Sequence, residues 1–187
     1  MLAIVPVKRL EGAKMRLAPS LGPEARTALV LRMLDTVLDA CRTADAIDAV
    51  LVVTPDPTLG RGTEVLVDEG VGHAAAVTRA LADPRASGGA LVVMADCPLA
   101  TAASLDALVA AARPVALVAA EDGGLNALAL DDPRLFSPVF GVPDAAALTA
   151  ARARAAGVEP ALLHDPALTF DLDVPADLAR VPQLRAA

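Results

Sequence analysis

Lys8, Arg9, Lys14 and Arg16 crowd into one short stretch, Lys8-Arg9-Leu10-Glu11-Gly12-Ala13-Lys14-Met15-Arg16-Leu17, directly after the apolar run Leu2 to Val7. Such a stretch suits polyphosphate. Lys8 and Lys14 offer compact ammonium charges, Arg16 offers a planar fork of donors, and Gly12 lets the backbone approach phosphate oxygens closely. A solvated basic loop has the same composition, so the reading depends on what the loop faces. Asp96 follows the apolar run Leu91-Val92-Val93-Met94-Ala95, and Asp171-Leu172-Asp173 follows Leu168-Thr169-Phe170. Residues two apart in an extended segment project to the same side, so Asp171 and Asp173 would converge on one cation. An Asp-x-Asp also serves as a turn or helix cap, and Asp96 could cap a following helix, although Thr101 is better placed for that. Together the cations and acids are the parts of a phosphoryl-transfer site. Magnesium held by Asp96, Asp171 and Asp173 would bridge phosphate oxygens, while Lys14 and its neighbours would offset charge on a leaving pyrophosphate. Lys14 and Asp96 are thus the candidate catalytic pair. No protein nucleophile is required, and Cys97, beside a carboxylate at a buried strand end, is read as packing.

These residues need a frame that brings strand ends together. Leu2 to Val7, Ala49 to Thr54, Ala90 to Ala95 and Val115 to Ala119 are short, aliphatic and bounded by Pro, Asp or Gly, as buried strands are. Leu29, Val30, Met33, Leu34, Val37, Leu38 and Cys41 recur at helical spacing behind Gly22-Pro23, which predicts a helix from about Pro23 to Arg42. Ala74 to Leu81, Thr101 to Ala112, Asp144 to Ala156 and Ala176 to Leu178 are further helical candidates. The alternation predicts an α/β fold: a doubly wound, mostly parallel, Rossmann-like sheet with helices on both faces, whose ligands sit at the carboxyl ends of the strands. Gly123 to Leu130 and Phe136 to Gly141 break the rhythm and predict a small insertion beside the crevice, with an antiparallel strand.

Composition narrows the function further. The 187 residues fit one domain, 1–187, with a substantial core. A net charge of -7, three Phe and no Trp or Tyr argue against nucleic acid as a partner. No apolar run approaches the roughly 18 residues that would span a membrane, and the apolar-then-basic start reverses the order of an export signal. Cys41 and Cys97 make neither a disulfide framework nor a zinc site, so a cytoplasmic location and a hard, carboxylate-bound metal are expected. The apolar face from Leu29 to Cys41 would serve a core or a homodimer interface equally.

The motifs Val5-Pro6-Val7-Lys8, Ala13-Lys14-Met15-Arg16-Leu17, Ala95-Asp96-Cys97-Pro98-Leu99, Phe140-Gly141 and Asp171-Leu172-Asp173-Val174-Pro175-Ala176-Asp177-Leu178 occur in this order nearly end to end. In that order they resemble the 2-phospho-L-lactate guanylyltransferase family of coenzyme F420 biosynthesis. The resemblance implies a fold of the nucleotide-diphospho-sugar transferase type, akin to the molybdenum-cofactor guanylyltransferases. It also implies magnesium-dependent transfer of GMP from GTP to a small phosphorylated acid (2-phospho-L-lactate, phosphoenolpyruvate or 3-phosphoglycerate) with release of pyrophosphate. Lys8, Lys14 and Arg16 match its nucleotide loop, and Asp96, Asp171 and Asp173 its metal carboxylates. Gly72 falls in the element that approaches guanine or ribose, but His73 stands where the family usually continues Leu-Asn. Asn126, Gly141 and Asp144 fall in the acceptor region. There Leu125 replaces a Thr, and Asp144 lies where a Ser is usual; an Asp would repel an anionic acceptor unless turned away, protonated or joined to the metal. A nucleotidyltransferase with another acceptor, such as molybdopterin or a sugar phosphate, and a nucleotide-binding relative without turnover are the alternatives.

Overall fold

In a computed structural model, which describes residues 1–70 and 72–184, seven strands form one sheet. They are β1 (Leu2–Pro6), β2 (Ala49–Thr54), β3 (Glu64–Val67), β4 (Ala90–Val93), β5 (Val115–Ala119), β6 (Leu125–Leu130) and β7 (Ala161–Leu163). Their order is β3-β2-β1-β4-β6-β5-β7, and β6 alone runs antiparallel to its neighbours. The chain winds from β1 outward through β2 and β3, then returns to the other side of β1 as β4. The reversal leaves a crevice at the carboxyl ends of β1 and β4, where open α/β sheets bind ligands.

Period-two alternation on β1 sorts the core into two layers. Ala3 and Val5 face α1 (Pro23–Thr43) and α3 (Ala102–Ala111), whereas Leu2 and Ile4 face α2 (His73–Leu81) and α4 (Ala145–Ala155). Helix α1 starts at Pro23, whose fixed φ suits the first turn, and it buries Leu29, Met33, Leu34, Val37, Leu38 and Cys41. The apolar face of α1 is therefore spent on the protein's own core. Among the described residues no helix is long and apolar enough to cross a membrane.

A third apolar cluster holds the parts that concern function. Leu17, Leu29, Met33, Phe170, Leu172, Leu178, Val181 and Leu184 pack together beneath the open end of α1. Leu17 and Leu172 are both fully buried there. Two segments far apart in sequence, the cationic stretch and the Asp-x-Asp stretch, are thereby anchored on one apolar base.

Several elements differ from expectation. β1 stops at Pro6 and β4 at Val93, although Met94 N–H still donates to the Asn126 carbonyl at 2.9 Å. Asp96 therefore sits in the turn beyond β4 rather than at the strand's last position. The antiparallel strand β6 lies within the sheet between β4 and β5, not beside the crevice, because its six residues are buried throughout and pair on both edges. Phe136 to Gly141 forms no strand. β3 and β7 were not apparent as strands, and the expected helix at Ala176 to Leu178 is a 3-10 turn over Pro175–Arg180.

Candidate functional site

A cavity of about 490 Å³ opens where β1 and β4 end, and Lys8, Lys14, Arg16, His73, Asp96 and Asp173 line it. Lys14 is its electrostatic centre. The Nζ of Lys14 donates to Asp96 Oδ2 at 2.7 Å and to Asp173 Oδ1 at 2.6 Å. Arg16 Nη1 reaches Asp173 Oδ2 at 3.2 Å, yet the Arg16 side chain remains 72% exposed and available to an incoming anion. The Lys14 backbone adopts a left-handed conformation, φ 49° and ψ 45°. For a residue with a Cβ this costs on the order of 1 kcal/mol or more, which the two carboxylate contacts offset. Arg26, one turn into α1, braces the loop by donating from Nε to the Ala13 carbonyl and from Nη1 to the Leu21 carbonyl.

The acidic side is built from two turns. Asp96 leaves β4 and accepts, through its backbone carbonyl, from Leu172 N–H at 3.2 Å. Residues Phe170 to Asp173 are extended but lie outside the sheet, so Leu172 turns inward to the apolar cluster while Asp171 and Asp173 project away from it. One carboxylate oxygen from each of Asp96, Asp171 and Asp173 lies within 4.8 Å of the others. Asp177 Oδ2 fixes the strand-like exit by accepting from Asp173 N–H and Val174 N–H at 2.8 and 2.7 Å. Asp177, rather than Asp173, is thus the capping acid. Arg180 stacks on Phe170, 3.8 Å from the ring centroid, and its guanidinium donates two hydrogen bonds to Glu121, fastening this segment to the turn between β5 and β6.

Charge states follow from these contacts. Burial opposes the Lys14 ammonium, but the carboxylates of Asp96 and Asp173 outweigh it and raise its pKa. Burial likewise pushes Asp96 upward, and the Lys14 charge and hydrogen bond reverse this to a net lowering. Asp171 is the acid without a cation beside it: burial and then the Asp96 charge raise its pKa to about 6. An all-oxygen set with excess negative charge fits a hard divalent cation such as magnesium better than zinc. Burial, with the Asp96 charge second, raises the Cys97 thiol well above its ordinary range, in keeping with a packing role.

The residues expected in the acceptor region are placed apart from this cavity. Asn126 is buried, and its amide nitrogen donates to the carbonyls of Leu168 and Thr169 at 3.0 and 3.2 Å and lies 3.4 Å from Asp171 Oδ1. Its donors hold the backbone leading into the Asp-x-Asp segment. Asp144 stands at the start of α4 beside Gly123, and Gly141 adopts φ +73° in the preceding turn. Gly72 precedes α2 with φ +117°, a conformation that favours glycine, and borders a second cavity. Thr101, as anticipated, caps α3 by accepting from Ser104 N–H.

His73 borders the site as well. It lines both cavities, and burial, followed by the Lys8 charge, lowers its pKa to about 4, so the imidazole is neutral at pH 7. Between pH 6.5 and 4 the unfolded chain binds a proton that the folded chain does not, so stability rises with pH through that window and is lost on acidification. His73→Gln removes this dependence. The stability gap between variant and native protein is expected to shift by up to about 3 kcal/mol from pH 4 to pH 7. Chemical denaturation across that range measures it; a constant gap would contradict a buried neutral His73.

Residues 1–181 match the family described as "Guanylyl transferase CofC like". The chain belongs to this family. Relatives named phosphoenolpyruvate guanylyltransferase come from Sphaerobacter thermophilus, 42% identical over 95% of this chain and 90% of the relative, and from Rubrobacter xylanophilus, 39% identical over 96% and 92%. The Conexibacter woesei protein of the same name is 37% identical over 99% and 88%. Among solved structures, a candidate nucleotide-diphospho-sugar transferase from Desulfovibrio desulfuricans G20 superposes with a TM-score of 0.77 at 17% identity, covering 98% of this chain and 96% of that one. A CMP:2-keto-3-deoxy-manno-octonic acid synthetase complexed with CTP gives 0.64 at 14% identity, covering 98% and 97%. These likenesses establish the nucleotide-diphospho-sugar transferase type of fold. The guanylyltransferase family thus accounts for the seven-strand mixed sheet and for the order of the motifs along it.

Sequence reasoning missed Arg26 and Asp177. For Asp177 a signal existed, since an acid two residues beyond Pro175 can accept from the backbone that enters a helical turn. Arg26 had none, because its role depends on which loops the fold brings near it.

Proposed function

We propose that this chain transfers GMP from GTP to phosphoenolpyruvate and releases pyrophosphate, a reaction that its resemblance to the F420-pathway enzymes ties to coenzyme F420 biosynthesis. The observation carrying this reading is the convergence of Lys14 with Asp96 and Asp173 in one cavity, with Asp171 within reach of both acids, in a chain whose relatives share one name along nearly their whole length. A phosphate oxygen of the acceptor attacks the α-phosphorus of GTP. The new phosphorus–oxygen bond forms as the bond to the bridging oxygen of the β-phosphate breaks, and pyrophosphate departs with the electron pair. The attacking oxygen is already anionic, so no general base is needed.

Lys14 and Arg16 would offset charge gathering on the departing pyrophosphate, and Lys8 would add a third cation from the same cavity. Asp96, Asp171 and Asp173 would hold magnesium, which when bound supplies charge neutralisation on the phosphate oxygens. The Leu17 and Leu172 anchors keep cations and acids at fixed separation, so little reorganisation remains for the reaction. Asn126, Gly141 and Asp144 belong to the acceptor side in this reading, with Asn126 acting through the backbone it holds.

Pyrophosphate release is the direct test, with GTP and magnesium against phosphoenolpyruvate, 2-phospho-L-lactate and 3-phosphoglycerate in parallel. Release with phosphoenolpyruvate is expected. Release with only one of the other acids would reassign the acceptor, and silence with all three despite GTP binding would remove the transferase reading.

A further inference from the structure

Pro23 fixes where α1 begins, and that start places Arg26 in its first turn. Helical side chains lean toward the helix N-terminus, so Arg26 reaches back over the loop that enters the helix. A cation at this end runs against the helix dipole. Among the described residues no carboxylate lies within ion-pair distance of Arg26 to compensate. Its partners are instead neutral groups of one loop. Nε donates to the Ala13 carbonyl at 3.3 Å, Nη1 donates to the Leu21 carbonyl at 2.9 Å, and Nη2 lies 3.6 Å from Met15 Sδ.

These partners bracket Lys14, the cation held between Asp96 and Asp173. A residue with a Cβ persists in the left-handed region only where its surroundings over-determine it, and it relaxes by rotation of the peptide before it. Lys14 has φ 49°, and the carbonyl of the preceding peptide is the one that Arg26 holds. Rotation would carry that carbonyl off the guanidinium. The other end of the clamp is firm, because Leu21 N–H donates to the carbonyl of Leu17, which is fully buried. Arg26 thereby closes the loop that carries Lys14 and Arg16. It lines neither of the cavities at the strand ends, so it reaches a ligand through the loop and not by contact.

We propose that Arg26 is a positioning residue for nucleotide binding: it locks the left-handed turn at Lys14 and so aims the Lys14 ammonium at the triphosphate. The proposal rests on the nucleotidyl-transfer reading for the ligand that Lys14 meets. Span, rather than charge, is what the guanidinium contributes. Its Nε and Nη1 address carbonyls on either side of Lys14 from one rigid plane, whereas a lysine ends in a single compact ammonium and cannot reproduce that span.

A double-mutant cycle on equilibrium GTP binding, with magnesium and the full chain, tests this without turnover. Arg26→Gln is expected to weaken GTP binding by roughly 10- to 100-fold, the worth of the charge-assisted hydrogen bond that a misaimed Lys14 loses. Arg26→Lys should cost nearly as much, because charge does not restore the span. In a Lys14→Ala background the same two substitutions should cost less than about threefold, since the group they would misplace is gone. Losses of equal size with and without Lys14 overturn the proposal. Native affinity in Arg26→Lys also overturns it, by making the guanidinium a source of charge alone. Unfolding of both Arg26 variants at the assay temperature would assign the residue to the fold and overturns it as well. The expected cycle without pyrophosphate release from any acceptor would overturn the transfer reading alone, whereas a native protein that binds no GTP would overturn both.

Discussion

Asp96→Asn is expected to lower magnesium-dependent pyrophosphate release by roughly 10²- to 10³-fold, the scale on which a charge-stabilising group in a transfer site is felt, while thermal unfolding shifts only slightly. The substitution keeps the side-chain shape and removes one negative charge. Its structural consequences are small: the Leu172 N–H bonds to the Asp96 backbone carbonyl, which survives, and Lys14 retains its 2.6 Å contact with Asp173. Its chemical consequence is large, because the triad loses one of the two acids that face both Lys14 and the other carboxylates. Raising magnesium should restore part of the activity, since a weakened ligand set loses affinity before it loses chemistry. Undiminished turnover at low magnesium would remove Asp96 from the metal site. A melting temperature that falls in step with activity would make Asp96 a structural ion-pair partner instead.

Much of the site could be read from residue types. An apolar run followed by cations, another followed by an acid, and an acid pair at period two are local patterns, and the sheet topology brings them to one end of the molecule. The inward turn of Leu172 that aims Asp171 and Asp173 together is what alternation in an extended segment requires. It does so outside the sheet, because apolar anchoring against Leu17 and Phe170 does the work that strand pairing was expected to do. The four strands legible in the sequence are the well-buried ones with continuous aliphatic runs. β3 and β7 lie at the two edges, are short and keep exposed residues such as Val67 and Leu162, so their sequences resemble loops.

The place of β6 was not legible for another reason. Leu125 to Leu130 carries an ordinary buried strand pattern, but whether such a strand borders a sheet or enters it is decided by its partners. Here Ala127 to Leu130 pairs with β4 on one edge and β5 on the other. That insertion has a functional result, since it carries Asn126 to the backbone of Leu168 and Thr169 and thereby supports the acid pair from below.

Lys14→Ala should be the most damaging single change to nucleotide use, lowering kcat/KM for GTP by roughly 10²- to 10³-fold. Lys14 is the cation held between Asp96 and Asp173, with a side chain only 12% exposed. Its removal leaves three acids within 4.8 Å of one another and Arg16, largely exposed, as the remaining counter-charge. Like charges so placed repel, so a proton or a metal ion must compensate. The variant is therefore expected to bind magnesium at least as well as the native protein in the absence of nucleotide while using GTP far less well. This separates a cation that serves phosphate from one that merely neutralises acids. If Lys14 contacts the outer phosphates, the loss of affinity should grow from GMP to GDP to GTP, whereas equal losses for all three would place it away from them. Lys14→Arg is not a rescue in this geometry: a planar fork cannot occupy the point between two carboxylates that an ammonium fills, and it would reach past Asp96. Recovery of native kcat/KM by Arg would show that charge alone suffices there, and that the left-handed turn at Lys14 is not needed to aim it.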